Sequence, residues 1–246
     1  LGVDAAYQRK GVASKLVEEM LCSMKLNRVN TVYTLVNWRD GDLLKFFNRV
    51  GFRRGDMINL EFNIENGKED INHLNPKNSK KGFKDSYSDE SSVIIKRMKK
   101  NDLNRIIEID HQLLGEKRSD FWKRKITLLS KKSALPPLIA EMGNKVIGFI
   151  LGEANHWNYV IPENIGWIDT LGVDAAYQRK GVASKLVEEM LCSMKAMGVT
   201  TVYTLVNWRD YTLLRFFDTM GFWRGDMINL ELKIGYKKSK TCLILS

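Results

Sequence analysis

A stretch of 25 residues repeated letter for letter within one chain leaves few folds open. LGVDAAYQRKGVASKLVEEMLCSMK at residues 1–25 recurs at residues 171–195, and TVYTLVNWRD at 31–40 recurs at 201–210. Aligned without a gap, residues 1–60 and 171–230 share 49 identities at an offset of 170. A period that long is not a solenoid repeat; it is the size of one ordinary domain. The chain therefore reads as about one and a half copies of a domain: residues 1–64 as a truncated C-terminal half, then a linker at 65–91, a complete copy at 92–234 and a basic tail at 235–246. The linker (ENGKEDINHLNPKNSKKGFKDSYSDES) is polar and poor in apolar residues, as a tether should be. The chain opens on Leu1 inside a strand-like run, which reads as a truncation.

The complete copy alternates strand and helix signals. Residues 93–98 are strand-like, and an apolar stripe at Leu103, Ile106, Ile107, Ile109, Leu113 and Leu114 predicts a helix capped by Asn101 or Asp102. A second helix runs from Ser119 or Asp120 through Trp122, Ile126 and Leu129 and stops before Pro136. PLIAEM, KVIGFILGEA and IGWIDTLGV predict three antiparallel strands, the first two joined by a Gly143-Asn144 turn. An amphipathic helix at 181–195, a buried strand TVYTLV, a helix at 211–220 and a final strand MINLELKI complete the order. The fold class is α/β (α+β): helices flanking a mixed, mostly antiparallel sheet.

Composition excludes several alternatives. With 44% apolar and 10% aromatic residues the chain can build a core, and no apolar run nears the roughly 20 residues that span a bilayer. The net charge of +10 is spread along the chain, so a nucleic-acid partner is not expected; only Lys237, Lys238 and Lys240 are dense. Three cysteines give neither an even disulfide framework nor a metal spacing, which points to a reducing, cytoplasmic location and to no metal.

The most informative stretch is LGVDAAYQRKGVAS at 171–184. A strand ends, a short loop carries Gln178, Arg179, Lys180 and Gly181, and a helix starts at once. The first N–H groups of a helix lack internal partners and sit at the positive end of its dipole. Gly181 and Ala183 let an anion approach the backbone, and Arg179 and Lys180 add charge. A pyrophosphate suits such a junction; the plain alternative is a helix start with two solvated cations.

The pattern [QR]xxGx[GA], matched at Gln178, Gly181 and Ala183 and again at Gln8, Gly11 and Ala13, together with the later Gly221-Phe222 pair, resembles the GCN5-related N-acetyltransferase (GNAT) superfamily. The resemblance covers the complete copy and the half copy. It implies a GNAT-type sheet with splayed central strands and acetyl-CoA as cosubstrate. It further implies that Leu171, Gly172 and Val173 meet the pantetheine arm and acetyl carbonyl. Gln178, Arg179, Lys180, Gly181, Val182, Ala183 and Ser184 would hold the pyrophosphate. Asp210 and Phe217 take the positions of an Asn and a Tyr that family members often place near the cofactor, the Tyr as proton donor to the departing thiolate. Phe217 has no proton to give, and Asp210 is equally read as a helix cap.

The implied activity is an acetyl-CoA-dependent N-acetyltransferase acting on a primary amine, small-molecule or protein, by direct attack through a tetrahedral intermediate. The alternative is a catalytically weak coenzyme A-binding sensor or interaction module. An amine acceptor is mostly protonated at neutral pH, so a carboxylate base contributes, typically about 10²–10⁴-fold. Asp169 is the first candidate, because by simple alternation it shares strand parity with Leu171 and Val173. Glu153 is second and Glu141 weaker; Tyr177 and Tyr203 are candidate proton donors, and His111 and His156 are lone histidines. The helix pair at 101–132 and the loop 155–164, with Trp122, Trp157 and Tyr159, are expected to line the acceptor groove or, as exposed aromatics, a homodimer face. The half copy lacks the elements of such a groove and is expected to contribute no turnover. It reads as a fragment of a tandem enzyme, as a half domain packed on the whole one, or as strands exchanged between chains; the first is preferred.

Overall fold

The computed structural model describes residues 2–65, 92–132, 135–155 and 164–234. Most of the expected linker, the basic tail and the loop bearing His156, Trp157 and Tyr159 lie outside the described residues. The chain divides into two compact units, and the division does not follow the sequence repeat.

The first unit takes residues up to 59, then 207–209 and, among the described residues, 226–234. It holds α1 (Val12–Leu26), β1 (Thr31–Asn37), α2 (Gly41–Val50), most of β2 (Arg53–Asn63) and most of the last strand, β8 (Trp223–Lys233). β1 pairs antiparallel with β8, from Thr31 opposite Lys233 to Asn37 opposite Met227. A strand of the second repeat thus lies beside a strand of the first. Its Leu230 joins Val32, Val36, Phe47 and Phe52 in this unit's core.

Two reciprocal clamps fix that exchange. The indole of Trp38 donates to Asp226 at 3.0 Å and Arg39 pairs with the same carboxylate. In the other repeat the indole of Trp208 donates to Asp56 at 3.1 Å and Arg209 reaches it at 2.7 Å. Each guanidinium also covers its neighbouring indole, at 4.9 Å for Arg39 and 4.6 Å for Arg209. The bond from Trp208, and after it that from Arg209, hold the Asp56 carboxyl below the usual carboxylate range. These groups are exposed, so they contribute register more than energy. Cys22 on α1 is disulfide-bonded, against the expectation of reduced cysteines, and the cysteine count is no argument for a reducing compartment.

The second unit contains β3 (Ile94–Arg97), α3 (Leu103–Leu114), α4 (Ser119–Lys132), β4 (Leu138–Met142), β5 (Lys145–Asn155), β6 (Ile165–Val173), α5 (Val182–Ala196), β7 (Thr201–Asn207) and α6 (Tyr211–Thr219). The elements expected from the sequence are present, α3 and β6 to the residue and the others within a few residues. Strands β3 to β6 are consecutive antiparallel neighbours, and β7 runs parallel to β6. The Gly143 and Asn144 turn has φ of 52° and 60°, the left-handed pair that a two-residue hairpin requires.

One face of this sheet carries α3 and α4. Trp122 is fully buried and meets Phe149 edge-on at 5.1 Å, with Ile106, Ile107, Ile109, Ile139, Val146 and Leu151 around them. Asp110, 2% exposed, accepts two bonds from Arg118 at 2.6 and 3.0 Å and one from the Trp122 indole at 2.8 Å, tying α3 to α4. On the other face α5 buries Leu186, Val187, Met190, Leu191 and Met194. It approaches so closely that a Cβ on Gly152 would lie 2.8 Å from the Met194 methyl and 2.7 Å from the Trp167 carbonyl. Among the described residues no helix is long and apolar enough to cross a membrane.

Candidate functional site

The site is built where β6 and β7 part. Their parallel pairing runs from Ile165 opposite Thr201 to Ile168 opposite Thr204, while β6 continues to Val173 and β7 to Asn207. Two features end the ladder. The Thr204 hydroxyl, in a residue 4% exposed, donates to the Ile168 carbonyl at 3.0 Å. The β5–β6 register also shifts, with Leu151 opposite Thr170 but Gly152 opposite Ile168, so Asp169 is the extra residue of a β-bulge.

The register also fixes where main-chain groups point. Asp174 N–H donates to the Ile147 carbonyl of β5 at 2.9 Å. Antiparallel pairs alternate, so Gly172 also faces β5, whereas the polar groups of Leu171 and Val173 face away from β5 into the gap. The Val173 carbonyl accepts the Gln178 side-chain amide at 3.1 Å. That leaves the Val173 N–H and both main-chain groups of Leu171 toward the opening.

The loop at the mouth of the gap is held from beneath. Asp174, 5% exposed, accepts from Ala176 N–H at 2.9 Å and pairs with Arg105 of α3. Arg105 donates in turn to the Val146 carbonyl at 3.2 Å and to Glu108 at 2.8 Å. Arg179 takes φ of 60° and Gly181 of 78°, left-handed conformations that turn successive N–H groups to one side. No side chain caps α5, and a Cβ on Gly181 would meet nothing within 4 Å. Uncapped amides, two cations and open space in front of them fit a diphosphate. Lys180 and Lys145 lie over the Tyr177 ring at 5.2 and 5.4 Å, which gives Tyr177 a cation-binding surface.

The remaining expected residues are distributed as follows. Val182 is 1% exposed and packs under β5, so it offers its main chain only. Ala183 and Ser184 stay half-buried on the first turn of α5. Gln178 spends its side chain on Val173 and so shapes the loop. Asp210 accepts from Leu213 N–H at 2.9 Å and is the cap of α6. Phe217, 2% exposed, sits in an aromatic cluster with Phe216 and Phe222 at 5.2 and 5.0 Å. Asp210 is thus the cap of α6 and Phe217 a core residue.

Asp169 corrects the parity argument. Cross-strand partners share a face, so Val173, opposite Gly148, looks toward α5, where a Cβ on Gly148 would meet Leu186 and Val182. Asp169 instead meets Lys125 of α4, on the opposite face, because the bulge inserts one residue into the alternation. Lys125 Nζ lies 2.7 Å from Asp169 and 3.5 Å from Glu153. Burial raises the Asp169 carboxyl above the ordinary carboxylate value, with Lys125 opposing and Glu153 reinforcing the shift. Burial acts to lower the Lys125 ammonium, but its bonds and charges with Asp169 and Glu153 prevail and raise it. Trp167, cross-strand from Glu153, and Tyr203 have ring centroids 5.2 Å apart at a tilt of 36°. Glu141 is paired with Lys96 two strands away, and His111 is exposed on α3. A concavity lined by Ile95, Leu138, Glu189 and Met197 lies at the far end of α5 and is separate from this site. Lys125 was not legible in sequence, since the run Lys123, Arg124, Lys125 gives three equivalent cations and only helix phase selects one.

The sequence model of the Acetyltransferase (GNAT) family matches residues 101–222. That stretch, just under half of the chain, is similar to a GNAT-superfamily domain. Among solved structures, a GCN5-related N-acetyltransferase from Sphaerobacter thermophilus is similar at 15% identity and a TM-score of 0.56, over 94% of this chain and 70% of that one. The glucosamine N-acetyltransferase region of a fungal multi-domain β-N-acetylglucosaminidase gives 16% identity and 0.56, over 93% of this chain and 28% of that one. AAC(6')-Iy, solved with a bisubstrate analogue of CoA and acetylneamine, gives 18% and 0.50, over 61% and 99%. These likenesses establish the fold. No curated protein sequence matches the chain significantly.

Proposed function

We propose that the GNAT-superfamily domain is an acetyl-CoA-dependent N-acetyltransferase acting on a primary amine, and that residues 1–64 are the C-terminal half of a near-identical second copy of the domain. The observation that carries the enzymatic reading is the opening between β6 and β7. It is lined on one side by the main-chain groups of Leu171 and the N–H of Val173 and leads to the uncapped loop before α5.

In this reading the amides of residues 179–184, with Arg179 and Lys180, hold the pyrophosphate at a helix N-terminus. Leu171 hydrogen-bonds the pantetheine arm across the gap, as a neighbouring strand would. When bound, acetyl-CoA supplies the acetyl thioester. The Val173 N–H then faces the acetyl oxygen and stabilises charge there, a backbone donor needing no reorganisation. Asp169, on the α4 face at the bulge, draws the proton from the acceptor amine directly or through water, with Glu153 as the second carboxylate. Water returns the proton to the thiolate, because Phe217 has none to give.

AAC(6')-Iy and the Sphaerobacter enzyme share this fold, which supports the reading by analogy. Calorimetric titration with acetyl-CoA, followed by thiol release over a panel of amines, tests it. Saturable binding with release for at least one amine is the expected result. Binding without release for any amine would favour a coenzyme A-binding module, a reading for which the Lys125 ammonium already seated on Asp169 is the specific observation. No binding would remove both.

A further inference from the structure

We infer that Lys125 is a positioning residue for the reaction: it seats the Asp169 carboxylate on the bulge of β6 and favours its ionised form. The inference rests on Asp169 being the base proposed above, and it adds a residue from outside the sheet that neither repeat nor motif marks.

Helix phase brings Lys125 there. Trp122 is fully buried against Phe149 and Ile126 packs on the same core, so the residue one turn after Trp122 is carried toward β5 and β6. Lys123 and Arg124 remain exposed, while the Lys125 side chain is 23% exposed. Its ammonium lies 2.7 Å from Asp169 Oδ2 and 3.5 Å from Glu153 Oε1.

A bulge residue needs such support. Asp169 has lost its β7 neighbour, and the residue as a whole is exposed although its side chain is only 28% exposed, so the exposure is largely main chain. With no strand neighbour to limit it, the carboxylate is oriented by Lys125. The charged groups facing it are Lys125 from α4 and Glu153 from β5. Of these only Lys125 favours the ionised form, and it leaves the other carboxylate oxygen to receive a proton.

The test compares the wild type with Lys125→Met, Lys125→Arg and Asp169→Asn. Carboxyl ¹³C NMR follows Asp169 in the protein without acetyl-CoA, and the pH profile of kcat/KM follows turnover. Losing an adjacent opposite charge raises a carboxyl by about one unit or more. In Lys125→Met, both the Asp169 titration and the acidic limb of the profile should therefore move up by about one unit. Turnover on the acidic limb should fall, approaching about tenfold well below both titrations, with acetyl-CoA affinity unchanged and the difference closing at higher pH. Lys125→Arg should restore both. A Lys125→Met protein that melts lower but titrates as wild type overturns the inference and leaves Asp169 as base. If Asp169→Asn keeps the wild-type profile, the base assignment itself falls, and any shift in Lys125→Met then belongs to Glu153 and overturns the inference as well.

Discussion

Replacing Gly181 separates backbone strain from charge at the loop before α5. Gly181 has φ of 78°, and a Cβ there would touch nothing within 4 Å. Gly181→Ala therefore carries conformational cost alone. A left-handed residue with a Cβ costs about 1–2 kcal/mol, and the stiffer unfolded chain offsets about 0.4–1 kcal/mol of that. A net loss of about 1 kcal/mol lowers the melting temperature of a chain this size by about 2–4 °C. Gly181→Glu adds the same strain and one negative charge pointing into the space assigned to the pyrophosphate. At roughly 6 Å and an effective dielectric of roughly 20–40, repulsion from one phosphate charge is about 1.5–3 kcal/mol, or about 10–100-fold in affinity. Calorimetric Kd values for acetyl-CoA, beside melts of each variant, read both quantities. The two melts should agree, the Glu variant should bind acetyl-CoA far more weakly than the Ala variant, and that gap should shrink with added salt. Equal affinities for the Ala and Glu variants would show that no phosphate lies before this helix.

Asp174→Asn should loosen the loop through its buried partner. Breaking the ion pair to a part-buried Arg105 should cost about 2–4 kcal/mol in denaturant unfolding and weaken acetyl-CoA binding, although Asp174 is not expected to touch it. Phe217→Tyr supplies the proton donor seen in the family's pattern, yet the ring is 2% exposed among two phenylalanines. We expect a loss of about 1–3 kcal/mol from an unpaired buried hydroxyl and no gain in kcat; a faster enzyme would refute the core placement. The raised Asp169 carboxyl contributes stability that is present below its unfolded value and lost as pH rises through its folded one. Melts from pH 4 upward should show wild type losing ground to Asp169→Asn, and parallel curves would refute the burial argument. The raised Lys125 ammonium acts elsewhere: its contribution is lost only as pH climbs past 10.5 through the folded value.

The strands and helices were legible because their signals are local. The Leu103 to Leu114 stripe, the Gly143-Asn144 turn and the apolar run of β6 each need only neighbours a few residues away to declare themselves. The loop before α5 was legible for the same reason: it is a run of backbone conformations, and Gln178 and Gly181 fix them. The side-chain chemistry was not. Asp169 was assigned to one face by counting, and a bulge moved it to the other. A bulge depends on what the adjacent strands do, and here β7 stops pairing at Thr204. Arg105 and Lys125 carry no local mark, because any helix offers several cations and only packing selects the one that reaches the sheet.

The repeat itself draws the line between the two kinds of information. The same fourteen residues, VASKLVEEMLCSMK, begin α1 and α5. Both helices run fifteen residues, start after a left-handed Gly with φ of 81° or 78°, and follow a Gln whose side chain returns to a Val carbonyl at 3.2 or 3.1 Å. Sequence alone decided all of that, since hydrogen bonds within a helix and a turn involve only near neighbours. Burial did not repeat. Leu186 and Met190 are fully buried, while Leu16 and Met20, their identical counterparts, are 49% and 40% exposed. β1 likewise takes as its neighbour a strand from the other repeat. An identical segment cannot specify which surface covers it or which strand joins it. Those outcomes depend on the rest of the chain brought close in space, and only the tertiary structure supplies it.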